Sequence, residues 1–250
     1  MSNSDTFHLD RRSLLRAGAL TGIALASSVV SLKAVALTAP VKIGIIGAGH
    51  IGSTIGTLWI KSGHPVMFSS RHPEELKSLV DGLGSLAHAG TVSEAIDFGD
   101  VVFIAVPYGA LPEIGKDYGS KLSGKVVLDA GNAVAARDGS DLTAETKEEG
   151  IGVTSAKLLP GAHIVRAFNS MGYKYFESEA NRAGDRMAIP IAGDDKDALN
   201  IASTLVHDAG FDPVVIGPLA TAKEFSQGNP LYGLQLTAAQ MREKAASLKQ

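Results

Sequence analysis

The chain of 250 residues is 45% hydrophobic and 20% charged, with 28 Gly and no Cys. That apolar content excludes a disordered chain, and the missing Cys excludes disulfides, thiolate metal sites and a Cys nucleophile. A formal charge of −3 offers no basic surface, so nucleic acid is not expected as a partner.

The chain opens on a targeting pattern. Met1–Asp10 is polar, Arg11-Arg12-Ser13-Leu14-Leu15-Arg16 is basic, and Ala17–Leu32 is weakly apolar, before Lys33 and Ala34-Val35-Ala36. Charged, apolar and small-residue parts in that order mark an export signal, and Arg11-Arg12 before two leucines resembles the twin-arginine motif. As a helix the apolar part spans roughly 24 Å, short of the ~30 Å hydrocarbon core. Residues 1–36 are therefore expected to be a twin-arginine signal peptide. Its partner is the twin-arginine translocation machinery, and the mature protein is expected to be periplasmic or otherwise extracytoplasmic and not membrane-spanning.

From Val41 onward, compact apolar runs alternate with helical stretches. Strands are expected at Lys42–Ile46, Val66–Ser69, Val101–Val106, Val126–Ala130, His163–Ala167, Met187–Ala192 and Pro213–Ile216. Most are rich in Val and Ile and apolar on both faces, as strands covered by helices on either side must be. Helical spacing with polar or Gly/Pro punctuation marks Ile51–Ser62, Glu74–Leu83, Val92–Phe98, Leu111–Leu122, Asp141–Glu149 and Lys196–Ala209. Such alternation predicts an α/β fold, a doubly wound parallel sheet. It fills residues 41–233 together with a small C-terminal extension, and residues 234–250 are expected to close the chain with a helix over Leu234–Lys249.

The first predicted strand runs into Gly47-Ala48-Gly49-His50-Ile51-Gly52. A GxGxxG that closes a strand and opens a helix has the context its mechanism needs. Gly47 makes the tight turn, Gly49 admits a pyrophosphate close to the backbone, and Gly52 lets helix and strand pack. The helix N-terminus then presents unpaired N–H groups at His50 and Ile51 and a partial positive charge to the phosphates. His50 stands in the phosphate turn itself.

The second strand ends Phe68-Ser69-Ser70-Arg71. NAD-binding folds usually place an acid here, on the ribose 2′-hydroxyl. A carboxylate would repel a 2′-phosphate, whereas the Ser70 hydroxyl and the Arg71 guanidinium would bind one, so NADP(H) is the expected cofactor.

These segments resemble the coenzyme F420-dependent NADP oxidoreductases and their dinucleotide-binding relatives. The likeness is carried by Ile45–Gly52, Ser69-Ser70-Arg71, Ala105-Val106-Pro107-Tyr108 and Val127-Leu128-Asp129-Ala130-Gly131-Asn132. It continues through Val165–Met171, Ile191–Asp195 and Gly217-Pro218-Leu219, spanning Val41 to Gly233. The resemblance implies a Rossmann domain and hydride transfer between NADPH and a flavin- or deazaflavin-like ring (F420), as co-substrate. In such sheets the ligand sits beyond the carboxyl ends of strands, where Val106-Pro107, Asn132 and Phe168-Asn169 fall. Hydride transfer between stacked rings needs positioning and exclusion of water more than an acid or base. Pro107 and Phe168 are therefore expected as apolar walls, Asn132 and Asn169 as hydrogen-bonding groups for the nicotinamide amide or the acceptor, and Val106 as a cofactor contact.

No His pair has metal-ligating spacing, so no metal is expected. The expected partners are a small-molecule redox acceptor and a second copy in a homodimer. Two other functions stay open at this point. One is an imine reductase related to pyrroline-5-carboxylate reductase, against which the short chain beyond Gly217 argues. The other is a non-catalytic NADPH-binding sensor.

Overall fold

The computed structural model describes residues 39–248, and the expected signal peptide at residues 1–36 lies outside the described residues. The sheet has eight strands: β1 (Ile43–Ile46), β2 (Val66–Ser69), β3 (Ala87–Gly90), β4 (Val101–Ile104), β5 (Val126–Asp129), β6 (His163–Arg166), β7 (Ala188–Gly193) and β8 (Asp212–Gly217). Their order is β3-β2-β1-β4-β5-β6-β7-β8, and β1 to β6 pair in parallel. The chain leaves β1 toward β2 and returns on the other side at β4, which opens a crevice at the carboxyl ends of β1 and β4. This is a Rossmann fold with its ligand-binding switch point between those two strands.

The central strands are buried at every position, and successive side chains alternate between two core layers, as a sheet covered on both faces demands. Ile43, Ile45, Val101, Phe103, Leu128 and Val165 belong to one core layer, with Trp59 of helix α1 (His50–Lys61). Ile46, Val102, Ile104, Val127 and Ile164 belong to the other, with Ile96 of α3 (Val92–Phe98) and Leu111 of α4 (Leu111–Leu122). Trp59 Nε1 donates to Leu205 O at 2.7 Å, which ties α1 to α9 (Lys196–Asp208) on the same face. Between β2 and β3 lies α2 (Lys77–Leu83).

Five features depart from the sequence expectation. Strand β3 was not expected: Ala87-His88-Ala89-Gly90 has no β-branched residue, and it pairs because β2 offers it a free edge. Strand β7 runs antiparallel to β6, with Val165 opposite Gly193, so β7 and β8, parallel to each other, run against β1 to β6. The connection from β6 to β7 carries the unexpected helix α8 (Tyr173–Glu179) and stays at the carboxyl end of the sheet, which reverses the next strand. After β5 come α5 (Ala135–Asp138) and α6 (Ser140–Glu145), and the helix expected to stop at Glu149 continues instead through a π turn, Thr146–Gly150, into α7 (Ile151–Leu158). The last helix, α10, begins at Ala238, not at Leu234. Thr237 caps it, accepting from Gln240 N while Gln240 Oε1 accepts from Thr237 N, so Leu234 and Leu236 precede the helix and pack as loop.

Candidate active site

At the end of β1 the chain turns through Gly47, whose φ of +100° is strained for any residue with a side chain. A Cβ there would lie 2.6 Å from Val106 Cγ1 and 2.7 Å from Ala105 O, so the turn also abuts the end of β4. At Gly52, one turn into α1, a Cβ would lie 2.0 Å from Gly47 O. Gly49, the N-cap of α1, differs from both: a Cβ there meets nothing within 4 Å. Its missing side chain leaves open space in front of a helix whose first N–H groups, at His50, Ile51 and Gly52, have no intrahelical acceptor. Backbone donors, a helix dipole and an open approach together make a polyphosphate cradle.

The cradle opens into a cleft of about 560 Å³, within the range of small-molecule sites. Gly47, Gly49, Ser70, Arg71, Val106 and Pro107 all line it. The structure thus brings six of the expected residues to one place. Arg71 is exposed and makes no hydrogen bond or ion pair with the described residues. Ser70 Oγ accepts from His72 N at 3.1 Å, which leaves its own proton to donate. Ser69 is buried instead, donating to Ile45 O at 2.7 Å, and holds β2 to β1. The end of β2 therefore presents a guanidinium and a hydroxyl and no carboxylate, a donor set that fits a phosphate ester.

Sequence reasoning missed the rest of the lining. Leu76, Ile114 and Tyr118 give it an apolar surface, with Glu75, Glu113 and Asp117 beside them. Ile114, Asp117 and Tyr118 stand at i, i+3 and i+4 of α4, a spacing that puts them on one helix face. That signal was present but carried no functional motif.

The other expected residues lie elsewhere. The exposed ring of His50 is stacked on Tyr173, with centroids 4.3 Å apart, and does not line the cleft. Phe168 is not a wall of the site. Its backbone adopts φ 60°, and the ring turns into the core, fully buried and edge-on to Trp59, Phe103 and Phe176. Asn169 is buried, only 1% exposed, and does not line the main cleft. It acts on Asn132: Asn132 Nδ2 donates to Asn169 O at 2.7 Å and Asn169 Nδ2 approaches Asn132 Oδ1 at 3.4 Å. Asn132 itself lines a second, smaller hollow and not the main cleft.

A buried polar network fixes the loop that carries Asn132. Asp129 and Arg166 are both fully buried and paired. Arg166 Nη2 also donates to Gly131 O, and Asp129 Oδ1 accepts from Gly131 N at 2.8 Å. Ser155 Oγ donates to Asp129 Oδ2 at 2.7 Å, and the Tyr108 hydroxyl lies 3.0 Å from Ser155 Oγ. Burial, reinforced by the Asp129 charge, pushes the Tyr108 hydroxyl well above its ordinary value, so it stays protonated within this network.

A second tie joins this loop to the β4 end. Asp138 accepts from Val134 N at 2.8 Å and from Gly109 N at 3.0 Å, and Arg137 Nη2 donates to Asn132 O at 2.7 Å. Burial pushes the Asp138 carboxyl up, but the Arg137 guanidinium and the two backbone donors outweigh it and hold the group below the usual carboxylate range. Among the described residues no cluster of three or more His, Asp or Glu is placed to hold a metal ion, and no helix is long and apolar enough to cross a membrane.

Residues 42–133 match the family described as NADP oxidoreductase, coenzyme F420-dependent. A hypothetical protein of Sinorhizobium meliloti, of solved structure, is 30% identical, covers 79% of this chain and 95% of its own, and superposes with a TM-score of 0.68. An Arthrobacter structure assigned as an F420-dependent NADP-reductase is 21% identical, with 73% and 87% covered and a TM-score of 0.63, and shares the fold. The rat metalloreductase STEAP3 is 29% identical over 197 residues, 78% of this chain but 37% of that protein. Between 37% and 41% of the curated relatives' length is spanned by this chain.

Proposed function

We propose that this chain, whose residues 42–133 match the coenzyme F420-dependent NADP oxidoreductase family, passes a hydride between NADP(H) and a flavin- or deazaflavin-like ring. One observation carries the proposal: the open approach at Gly49 and the unpartnered Arg71 face the same cleft, a cradle for the pyrophosphate and a cation for the 2′-phosphate. NADPH, when bound, supplies two electrons and a proton as hydride to the acceptor ring. The chain's own residues bind and orient. The first turn of α1 holds the central pyrophosphate and Arg71 the 2′-phosphate, while Val106 and Pro107 close one side of the cleft against water. The Asp129–Arg166 pair keeps the loop of Asn132 rigid where the strand ends converge. The test is a titration of the protein with NADPH and NADH, followed by flavin and deazaflavin acceptors. Tight NADPH binding with turnover of one ring class supports the proposal. Binding without turnover of any ring favours a sensor, and no binding of either nucleotide refutes both.

The Arg11-Arg12 pattern supports the further proposal that the chain is exported after folding, with NADP(H) already bound. Arg11→Lys with Arg12→Lys is expected to hold the precursor inside the cell, and unimpaired export would refute it.

A further inference from the structure

His50 is the first residue of α1 and Tyr173 the first of α8, and their rings lie parallel, 10° apart in plane and 4.3 Å between centroids. Neither ring belongs to a core layer, and neither lines the main cleft. We infer that this stacked pair is the platform on which the hydride acceptor docks, a planar heteroaromatic ring lying on the face of the His50 imidazole turned away from Tyr173. The inference rests on the hydride transfer proposed above and adds where the acceptor ring sits and which side chains hold it.

Three observations converge. The first is placement. Ser70 and Arg71, at the end of β2, mark the half of the main cleft that takes the 2′-phosphate. A dinucleotide crossing the cradle from there extends its nicotinamide toward the carboxyl ends of β4, β5 and β6, because the strand order runs β2-β1-β4-β5-β6. Tyr173 follows β6 at that end of the sheet, and its ring reaches back to His50 beside Gly49. The stack therefore stands across the cradle from Arg71, on the nicotinamide half. Second, the rings are free. His50 is exposed and Tyr173 half-buried, and neither side chain has a hydrogen-bond or ion-pair partner among the described residues. The helix does not need them, since Phe176, fully buried and edge-on to Phe168 and Phe211, anchors α8 in the core. Third, the platform is rigid. His50 and Thr54 stand at i and i+4 on α1, as Tyr173 and Glu177 do on α8, and Glu177 Oε1 accepts from Thr54 Oγ1 at 3.2 Å. The ring stack and this hydrogen bond form two rungs between the helices. A preformed flat surface loses little side-chain freedom when another ring settles on it, and an acceptor without an aromatic plane gains nothing there.

The test measures riboflavin binding to NADP⁺-saturated protein, in which the cradle is already filled, for wild type, His50→Ala, His50→Phe, Tyr173→Leu and Tyr173→Phe. Every variant keeps the main-chain N–H at position 50, so the NADPH Kd serves as the internal control. The riboflavin Kd is expected to rise about tenfold in His50→Ala, while the NADPH Kd stays within about threefold. His50→Phe keeps a flat ring and should restore riboflavin binding. Tyr173→Phe should match wild type, and Tyr173→Leu should weaken riboflavin binding, because the imidazole loses its support. In wild type the His50 ring-proton NMR signals should move upfield as riboflavin is added, as protons above an aromatic face do. Unchanged riboflavin affinity in His50→Ala, His50 signals that riboflavin leaves in place, or no riboflavin binding to wild type would overturn the inference. An equal loss of NADPH and riboflavin affinity would also overturn it, by assigning the pair to the cradle alone. So would Tyr173→Leu with a lowered melting temperature and intact riboflavin binding, the mark of a purely structural stack. A failure of NADPH itself to bind would instead strike the function proposed above.

Discussion

Asp129 and Arg166 stand directly opposite each other in the parallel register of β5 and β6, both with no solvent exposure. Arg166 also reaches Gly131 O, so the pair locks the first turn of the loop after β5 as well as the two strands. A buried charge that loses its partner retains its desolvation cost without the compensating attraction.

Arg166→Met is therefore expected to lower unfolding stability by about 3–5 kcal/mol, because Asp129 stays buried with only Gly131 N and Ser155 as donors. The double variant Asp129→Leu/Arg166→Met removes both charges and should be more stable than the single one. Urea unfolding checks both. A midpoint for Arg166→Met within error of wild type would show that water already solvates the pair.

The glycines of the first turn separate folding from binding. Gly52→Ala drives a Cβ against Gly47 O, and is expected to cost about 1–3 kcal/mol of stability through backbone displacement. Gly49→Ala meets open space in an extended conformation, φ −72°, and should change stability by no more than about 1 kcal/mol. Its methyl instead occupies the approach to the helix N-terminus, so NADPH affinity should fall by about tenfold or more. Calorimetric titration beside thermal melts distinguishes the two effects. A Gly49→Ala protein that binds NADPH as wild type does would remove the cradle from the binding site.

The strand segments other than β3 and the phosphate turn were legible because they are local. Apolar runs, Gly47-Ala48-Gly49 and the Ser70-Arg71 strand end each sit within a few residues and have one mechanical explanation. Strand direction was not legible, since an apolar run reads the same in either sense and only the route of residues 167–187 reverses β7. Phe168 was misplaced because its destination depends on one left-handed backbone angle, which an aromatic at a strand end does not announce. The partnership of Asp129 with Arg166 spans 37 residues and exists only once β5 and β6 are neighbours.

Asp138 gives the loop of Asn132 an acid sensitivity of defined sign. Its carboxyl titrates below its value in the unfolded chain, near 3.9. The stabilisation is therefore full above that unfolded value and is lost as pH falls through the lower folded one. A carboxyl-carbon NMR titration should place the Asp138 midpoint below that of an exposed Asp, with the Gly109 and Val134 amide signals moving in the same step. Asp138→Asn should flatten that part of the acid limb. A midpoint at or above the ordinary value would mean that burial, not Arg137, governs the group.

Arg71 is where cofactor choice can be reversed by one side chain. It lines the cleft at the end of β2, has no partner among the described residues, and stands where an acid would select NADH. Charge-assisted hydrogen bonds are worth about 1.5–3 kcal/mol, so Arg71→Asp should weaken NADPH binding by about 10–100-fold. Binding of NADH should hold or improve, since the new carboxylate can accept from the ribose hydroxyls. Arg71→Lys keeps the charge but loses the planar fork, and should fall between wild type and Arg71→Asp. Measured Kd values for both nucleotides on all three proteins decide the matter. Were Arg71→Asp to leave the NADPH to NADH ratio unchanged, Ser70 and the backbone would have to carry the selectivity, a weak arrangement for a doubly charged ester.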